Sequence, residues 1–199
     1  MLLLINGIIF FLQLFMPEPL LIRFALWPWI MPSEDIDSST PGFHWWQLVS
    51  YAFLHGSFTH LALNMFALWM FGMVIESYWG SLTFGIYYFI CVIGAAITQL
   101  VVALPWFNQG INYPTIGASG GVFGVLLALG MLFPEQRLIL LFPPIPIKAR
   151  WLVIGYALVE LWLGLTGGMV RVAHFAHLGG MLFGFLFIWC WRGSQKAMI

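Results

Sequence analysis

Apolar residues fill this chain in blocks, and polar residues gather at the joints between them. A helix that crosses a bilayer needs about 20 predominantly apolar residues. Six windows approach that requirement: Leu2 to Leu21, Leu61 to Tyr78, Leu82 to Leu104, Ser119 to Phe133, Trp151 to Leu165 and Ala173 to Trp191. The first is interrupted by Pro17 and Glu18. The pattern predicts an all-α membrane protein, a six-transmembrane-helix bundle with a short central fourth helix, in one domain over residues 1–199. The opening MLLLINGIIFFLQLF has no basic start and no small-residue cleavage site. It reads as a retained first span rather than a removed signal.

The fourth window carries the most information. About 15 residues at 1.5 Å rise cover about 23 Å, short of a hydrocarbon core of about 30 Å. Its first turn therefore begins below the membrane surface, and the loop before it, LPWFNQGINYPTIGA, dips in to meet it. Non-helical backbone at that depth is tolerated where it lines a cavity or is buried in protein. The polar run Asn108, Gln109, Asn112 and Thr115 suggests a cavity open to the outside and ending near Ser119.

Positive charge sets the orientation. The loop between spans four and five carries Arg137, Lys148 and Arg150, and the C-terminal tail carries Arg192 and Lys196. The opposite side has Arg23 and Arg171. This asymmetry puts both termini in the cytoplasm, with the Ser119 end of span four and the His177 end of span six facing outward together. The segment from Trp27 to Phe58 holds WPW, the acids Glu34, Asp35 and Asp37, and WW. Tryptophan clusters favour the headgroup region. The segment reads either as short helices lying partly in the interface or as an aromatic-belt connector.

Composition agrees. The chain is 62% hydrophobic and 7% charged, where a soluble domain carries about 25% charged residues. Net charge is zero, so no basic patch argues for nucleic acid. Cys91 and Cys190 sit in separate apolar runs, which argues against a disulfide framework.

Two short stretches carry candidate chemistry. GASGGVFG, Gly117 to Gly124, places Ser119 among glycines at a helix start; HFAHLGGMLFG, His174 to Gly184, places His177 near another. The first matches the G-x-S-x-G nucleophile elbow, but that motif needs a strand before it in an α/β sheet, and this chain offers helices. Serine at a helix N-terminus still meets unpaired amides and the positive dipole end, which favour an oxyanion. The alternative is an N-capping serine in a small-residue contact. His177, Gly180 and Gly184 share a face, and Gly120 and Gly124 form a stripe on span four. Such stripes allow close backbone approach, so His177 can serve Ser119 as a base. No acid lies in motif spacing, which predicts a dyad without a third carboxylate. His60 and Asn64, at i and i+4, can converge on one oxygen, or can bond a neighbouring helix. Among His44, His55 and His174 there is no HEXXH, and His174 and His177 have no carboxylate nearby in sequence, so no metal site is assigned. Glu160, in mid-span five, reads as structural, though an intramembrane acid is a functional candidate by default.

With these residues in view, the chain resembles the rhomboid intramembrane serine proteases from about Phe43 to Trp191. The strings that carry the resemblance are His60-Leu-Ala-Leu-Asn64, Gly117-Ala-Ser119-Gly120 and His177-Leu-Gly-Gly180-Met-Leu-Phe-Gly184. Six spans look like the compact form of the family common in bacteria. The resemblance implies an endopeptidase of the bacterial inner membrane that cuts transmembrane protein substrates after local unwinding, without metal or organic cofactor. It implies Ser119 as nucleophile, His177 as base, and an oxyanion hole of His60, Asn64 and the Ser119 amide. Phe123 falls where an aromatic ring, often tyrosine, stacks beneath the histidine. Glu76 matches an acid that ties loops on the cytoplasmic side, and His55 a histidine that braces the first external loop. Gln47 stands where the family often has arginine, which leaves that loop's bracing open and the chemistry untouched. The other readings are a catalytically silent, client-binding relative, and a small transporter or metal-binding membrane protein. Against the last, the spans show no inverted repeat and no clustered acids.

Overall fold

The computed structural model describes residues 1–29, 41–107, 113–139, 144–166 and 173–197. Glu34, Asp35, Asp37, Asn108, Gln109, Asn112 and Arg171 lie outside the described residues. The elements run α1 (Leu2–Phe15), α2 (Pro17–Phe24), α3 (Gln47–Ser50), a 3-10 turn (Tyr51–Phe53), α4 (Phe58–Trp79) and α5 (Ser81–Phe107). They continue with α6 (Ser119–Leu132), β1 (Arg137–Ile139), β2 (Pro146–Lys148), α7 (Ala149–Thr166) and α8 (His174–Ala197). Four helices are long and apolar enough to cross a membrane: Phe58–Trp79, Ser81–Leu104, Ala149–Thr166 and His174–Arg192. Two more, α1 and α6, are apolar but have 14 residues each.

Two elements depart from the expected pattern. The first window is two helices, because Pro17 disfavours helical backbone at Met16, which sits at φ −136°, ψ 59°. Pro17 then opens α2, where its missing N–H is no loss. The chain is also not purely helical. β1 and β2 form an antiparallel pair with Arg137 opposite Lys148 and Ile139 opposite Pro146. Pro144 and Pro146 cannot sustain a helix, and β2 is extended. Beside it Glu135 meets Lys148 Nζ at 2.7 Å and Arg150 Nη1 at 2.6 Å. The Lys148 hydrogen bond, aided by the Arg150 charge, holds the Glu135 carboxyl below its usual range.

α6 is the centre of the bundle. Nine of its 14 residues are buried, on every side of the helix, as befits a helix apolar all round. It packs against α4, α5, α7 and α8, and α8 packs along α5 as well. α7 behaves in the opposite way: Trp151, Ile154, Leu158, Trp162 and Leu165 are all exposed, an apolar face suited to lipid.

Glycine makes the central contact. A methyl at Gly180 would overlap the Gly120 carbonyl oxygen, so α6 and α8 touch backbone to backbone. One turn on, the sequence pattern needs correcting. Gly184 faces Tyr87 and Cys91 of α5, not Gly124. Cys91 fills the space between Gly124 and Gly184, and the Tyr87 hydroxyl donates to the Gly124 carbonyl. Three helices therefore meet where a two-helix stripe was expected.

Buried amides lock the segment before α4. Gln47 is 1% exposed. Its Oε1 accepts from the backbone N–H groups of Trp27 (3.3 Å) and His44 (3.2 Å), and its Nε2 donates to the carbonyls of Arg23 and Gly42 (3.4 Å each). Gln47 thus supplies a brace where the family often has arginine. The Trp46 indole and the Ser50 hydroxyl add bonds to the carbonyls of Arg23 and Phe24. Gln13 of α1 exchanges two bonds with the backbone of His55. Among the described residues of this segment, α3 and the 3-10 turn are its short helices. At the other end of the bundle Glu76 accepts from the Ser81 hydroxyl at 2.6 Å, tying the α4–α5 turn.

Two predictions follow from packing and burial. Gly180→Ala should destabilise the protein by about 3 kcal/mol or more, because the obstacle is backbone and cannot move aside. Gly85→Ala and Gly155→Ala, where nothing lies within 4 Å, should stay within about 1 kcal/mol of the parent. Thermal melting in detergent reads both. His55 supplies the second. Burial pushes its ring down to about 4, so the unfolded chain takes up a proton first as pH falls. Stability is then complete above pH ~6.5 and declines toward pH ~4, by on the order of 2 kcal/mol after allowance for partial exposure. His55→Phe should flatten that part of the melting-versus-pH curve.

Candidate active site

Ser119 is the first residue of α6. The turn before it is shaped by Gly117, at φ +125°, a conformation that side chains with a Cβ avoid. Space makes the same demand: a Cβ there would sit 2.7 Å from the His60 ring. The Gly117 N–H is held by the Tyr51 carbonyl at 3.0 Å. Leu26 and Thr115 exchange backbone bonds at 3.0 and 2.9 Å, which ties this strand-like approach to the end of α2. Serine thus enters the helix at a depth and angle fixed by three separate segments.

His177 lies on the first turn of α8, 8% exposed. Its Nε2 is 2.7 Å from Ser119 Oγ. Phe123, one turn along α6, lies flat against the imidazole, with centroids 4.3 Å apart and planes 4° from parallel. The ring therefore has one rotational setting, with an edge toward the serine. The Gly120–Gly180 contact sits one turn below and brings the two helix starts together.

His60 and Asn64 face the same space from α4. Ser57 caps α4 by accepting from the His60 N–H at 3.1 Å. The Gly56 N–H lies 3.4 Å from His60 Nδ1, which leaves Nε2 on the side of Gly117. Asn64 Nδ2 donates one hydrogen to the His60 carbonyl at 2.9 Å; a primary amide has a second hydrogen to give. His60, Asn64, Ser119 and His177 all line one cavity of about 1350 Å³. Its walls include Leu63 and Met70 of α4 and Leu152 and Tyr156 of α7. α4 and α7 flank it with almost no packing between them. Thr115 of the expected polar run also lines it.

One residue was undervalued in the sequence. Glu160 of α7 is 8% exposed, and its Oε2 lies 2.7 Å from His174 Nδ1 and 2.9 Å from His177 Nδ1. The second distance is that of an ion pair, although the oxygen stands off the ring's N–H direction. The carboxylate that motif spacing did not offer thus stands beside His177 from another helix. The missed signal was available: Glu160 is the sole acid after Glu135, and an unpaired acid inside an apolar helix must find a partner. Spacing hid it, because the partners lie on the next helix. Glu160, His174 and His177 each offer one donor atom, all within 4.8 Å of one another, and are the set that a divalent ion would use.

A hydroxyl bonded to a buried imidazole, beside further donors and a helix start, can add to a carbonyl and stabilise the charge that forms. Comparison with known proteins points to the group in which to place this arrangement. The family description "Rhomboid domain" matches residues 42–194. The chain is 33% identical over 149 residues to "Rhomboid protein 1, mitochondrial" of Saccharomyces cerevisiae, covering 71% of this chain and 40% of that protein. It is 31% identical over 141 residues to "Rhomboid protease GluP" of Bacillus subtilis (71% and 25%). It is 34% identical over 140 residues to "Presenilin-associated rhomboid-like protein, mitochondrial" of Rattus norvegicus (68% and 35%). The chain spans less than half the length of each of these relatives. Their names are mitochondrial in two cases and bacterial in organism in the third, so the likeness identifies a family rather than a compartment. With the match to residues 42–194 and a relative one-third identical, this chain belongs to the rhomboid family.

Proposed function

We propose that this chain is an intramembrane serine endopeptidase that cuts transmembrane protein substrates, with Ser119 as nucleophile and His177 as general base. The observation that carries the reading is the 2.7 Å contact between Ser119 Oγ and His177 Nε2 within a large cavity. A client-binding protein has no need of a hydroxyl held on an imidazole with stacked and glycine-packed support.

The chemistry divides into two halves. Ser119 Oγ attacks the substrate carbonyl carbon while its proton passes to His177 Nε2. The carbonyl oxygen becomes an oxyanion, received by the Ser119 backbone amide, His60 and Asn64. Collapse breaks the C–N bond, and His177 gives the proton to the leaving amine. Water then attacks the acyl-serine, with His177 taking its proton and returning it to Ser119. The products are a new carboxyl and a new amino terminus.

A helical peptide bond is shielded by its own hydrogen bonds, so the substrate must unwind to present one. The gap between α4 and α7 is the route by which a membrane helix reaches the cavity without passing through water. Water enters from the end of the bundle where α4, α6 and α8 begin. The positive residues of the α6–α7 connection and the C-terminal tail support a cytoplasmic placement of both termini. Arg192 agrees, because its Nη2 donates to the Met131 carbonyl at the far end of α6 from Ser119.

Three outcomes test this reading. Ser119→Ala and His177→Ala should each lower cleavage of a reporter transmembrane substrate by about 10⁶-fold, with melting unchanged. Residual turnover near the parent rate in either folded variant refutes it. Asn64→Ala should lower kcat by about 10²–10³ with little change in KM, measured in proteoliposomes. Ser119→Cys, in a background without Cys91 and Cys190, should react with a membrane-impermeant thiol reagent from the outer face. Reaction from the cytoplasmic face alone would reverse the topology.

A further inference from the structure

We infer that Glu160 is a positioning carboxylate for His177, acting on the Ser119–His177 pair from the ring edge that the serine leaves open. The inference rests on the serine-peptidase reading and deepens it.

Glu160 Oε2 is 2.9 Å from the ring nitrogen of His177 that does not face the serine. For Nε2 to accept the Ser119 proton, the hydrogen of the neutral ring must sit on Nδ1. A carboxylate beside Nδ1 favours that tautomer and stabilises the imidazolium formed during attack. The oxygen stands off the N–H line in the resting enzyme. Attraction to a charged ring depends on distance more than on alignment, and such bonds tighten as substrate binds.

His174 anchors the carboxylate. Its Nδ1 lies 2.7 Å from the same Oε2, and its ring is 87° from that of His177. Two imidazoles one turn apart on α8 thus converge on one oxygen from α7. Phe123 covers the face of His177, and Glu160 occupies the edge that Ser119 leaves open. The same three groups each offer an atom to a divalent ion, and the test below separates the two roles.

The test uses the full chain in proteoliposomes, with a reporter transmembrane substrate and a fluorophosphonate that labels Ser119. Glu160→Gln should lower kcat and the labelling rate by about 10²–10⁴-fold, with KM within about twofold. Glu160→Asp, which keeps the charge, should lose less. A purely structural Glu160 would lower melting and leave kcat per folded molecule unchanged, and that result overturns the inference. The wild-type protein gives a readout that needs no folded variant: the ¹⁵N spectrum of its imidazoles should show His177 with its hydrogen on Nδ1. A neutral His177 with the hydrogen on Nε2 overturns the inference. So does wild-type turnover that a chelator abolishes and Zn²⁺ restores, because the three side chains would then be ligands. If wild-type Ser119 neither labels nor cleaves, the peptidase reading falls and this inference with it. If it labels normally and Glu160→Gln does too, the inference alone falls.

Discussion

The contact between the backbones of Gly120 and Gly180 is the constraint on which the rest depends. In lipid, two apolar helices gain little by hiding from the solvent, because the solvent is apolar too. What holds them is close packing and the hydrogen bonds that close packing permits. With no side chain on either helix at the crossing, α6 and α8 approach far enough for a short hydroxyl to reach an imidazole. A methyl at Gly180 would push against the Gly120 backbone and part those atoms, whereas one at Gly120 would meet Ala95 of α5. The site is therefore a consequence of the crossing, and the crossing a consequence of the Cβ atom that Gly180 lacks.

The second principle is the closing of polar accounts inside an apolar bundle. Gln47 spends both ends of its amide on four backbone groups. Tyr51 and Tyr87 donate to carbonyls of α5 and α6, across the helices that form the core. Gln13 holds the loop at His55. The Gln13, Tyr51 and Tyr87 bonds join segments about 40 residues apart in sequence. The same logic brings Glu160 to two histidines: a carboxylate within a helix facing lipid on most sides finds its partners on the one side that faces protein.

Rigidity and access are divided between different helices. α6 and α8 are sunk in the core, whereas α4 and α7 flank the cavity with little between them. Ser119 and His177 sit on the fixed part. The wall that faces lipid is built from helices that hold to the core rather than to each other. Under the proposed function, this arrangement would let a membrane-embedded chain approach without disturbing Ser119 and His177.

Much of this was legible along the chain. Apolar blocks determined the helices, because block length and bilayer thickness are both fixed quantities. Glycine spacing foretold that α6 and α8 would meet. Gly117, Ser119, Phe123, His177 and Gly180 were all singled out, and the fold brings them together. Local chemistry was harder to weigh. Pro17 was noted as an interruption, but only the structure made it a helix break, and the prolines after Phe142 hid a hairpin. What remained was decided by tertiary structure alone: Gly184 turning to α5, Gln47 taking an arginine's place, and Glu160 reaching His177. Each depends on which helix stands opposite, and a single sequence records the face of a residue but not its neighbour across the gap.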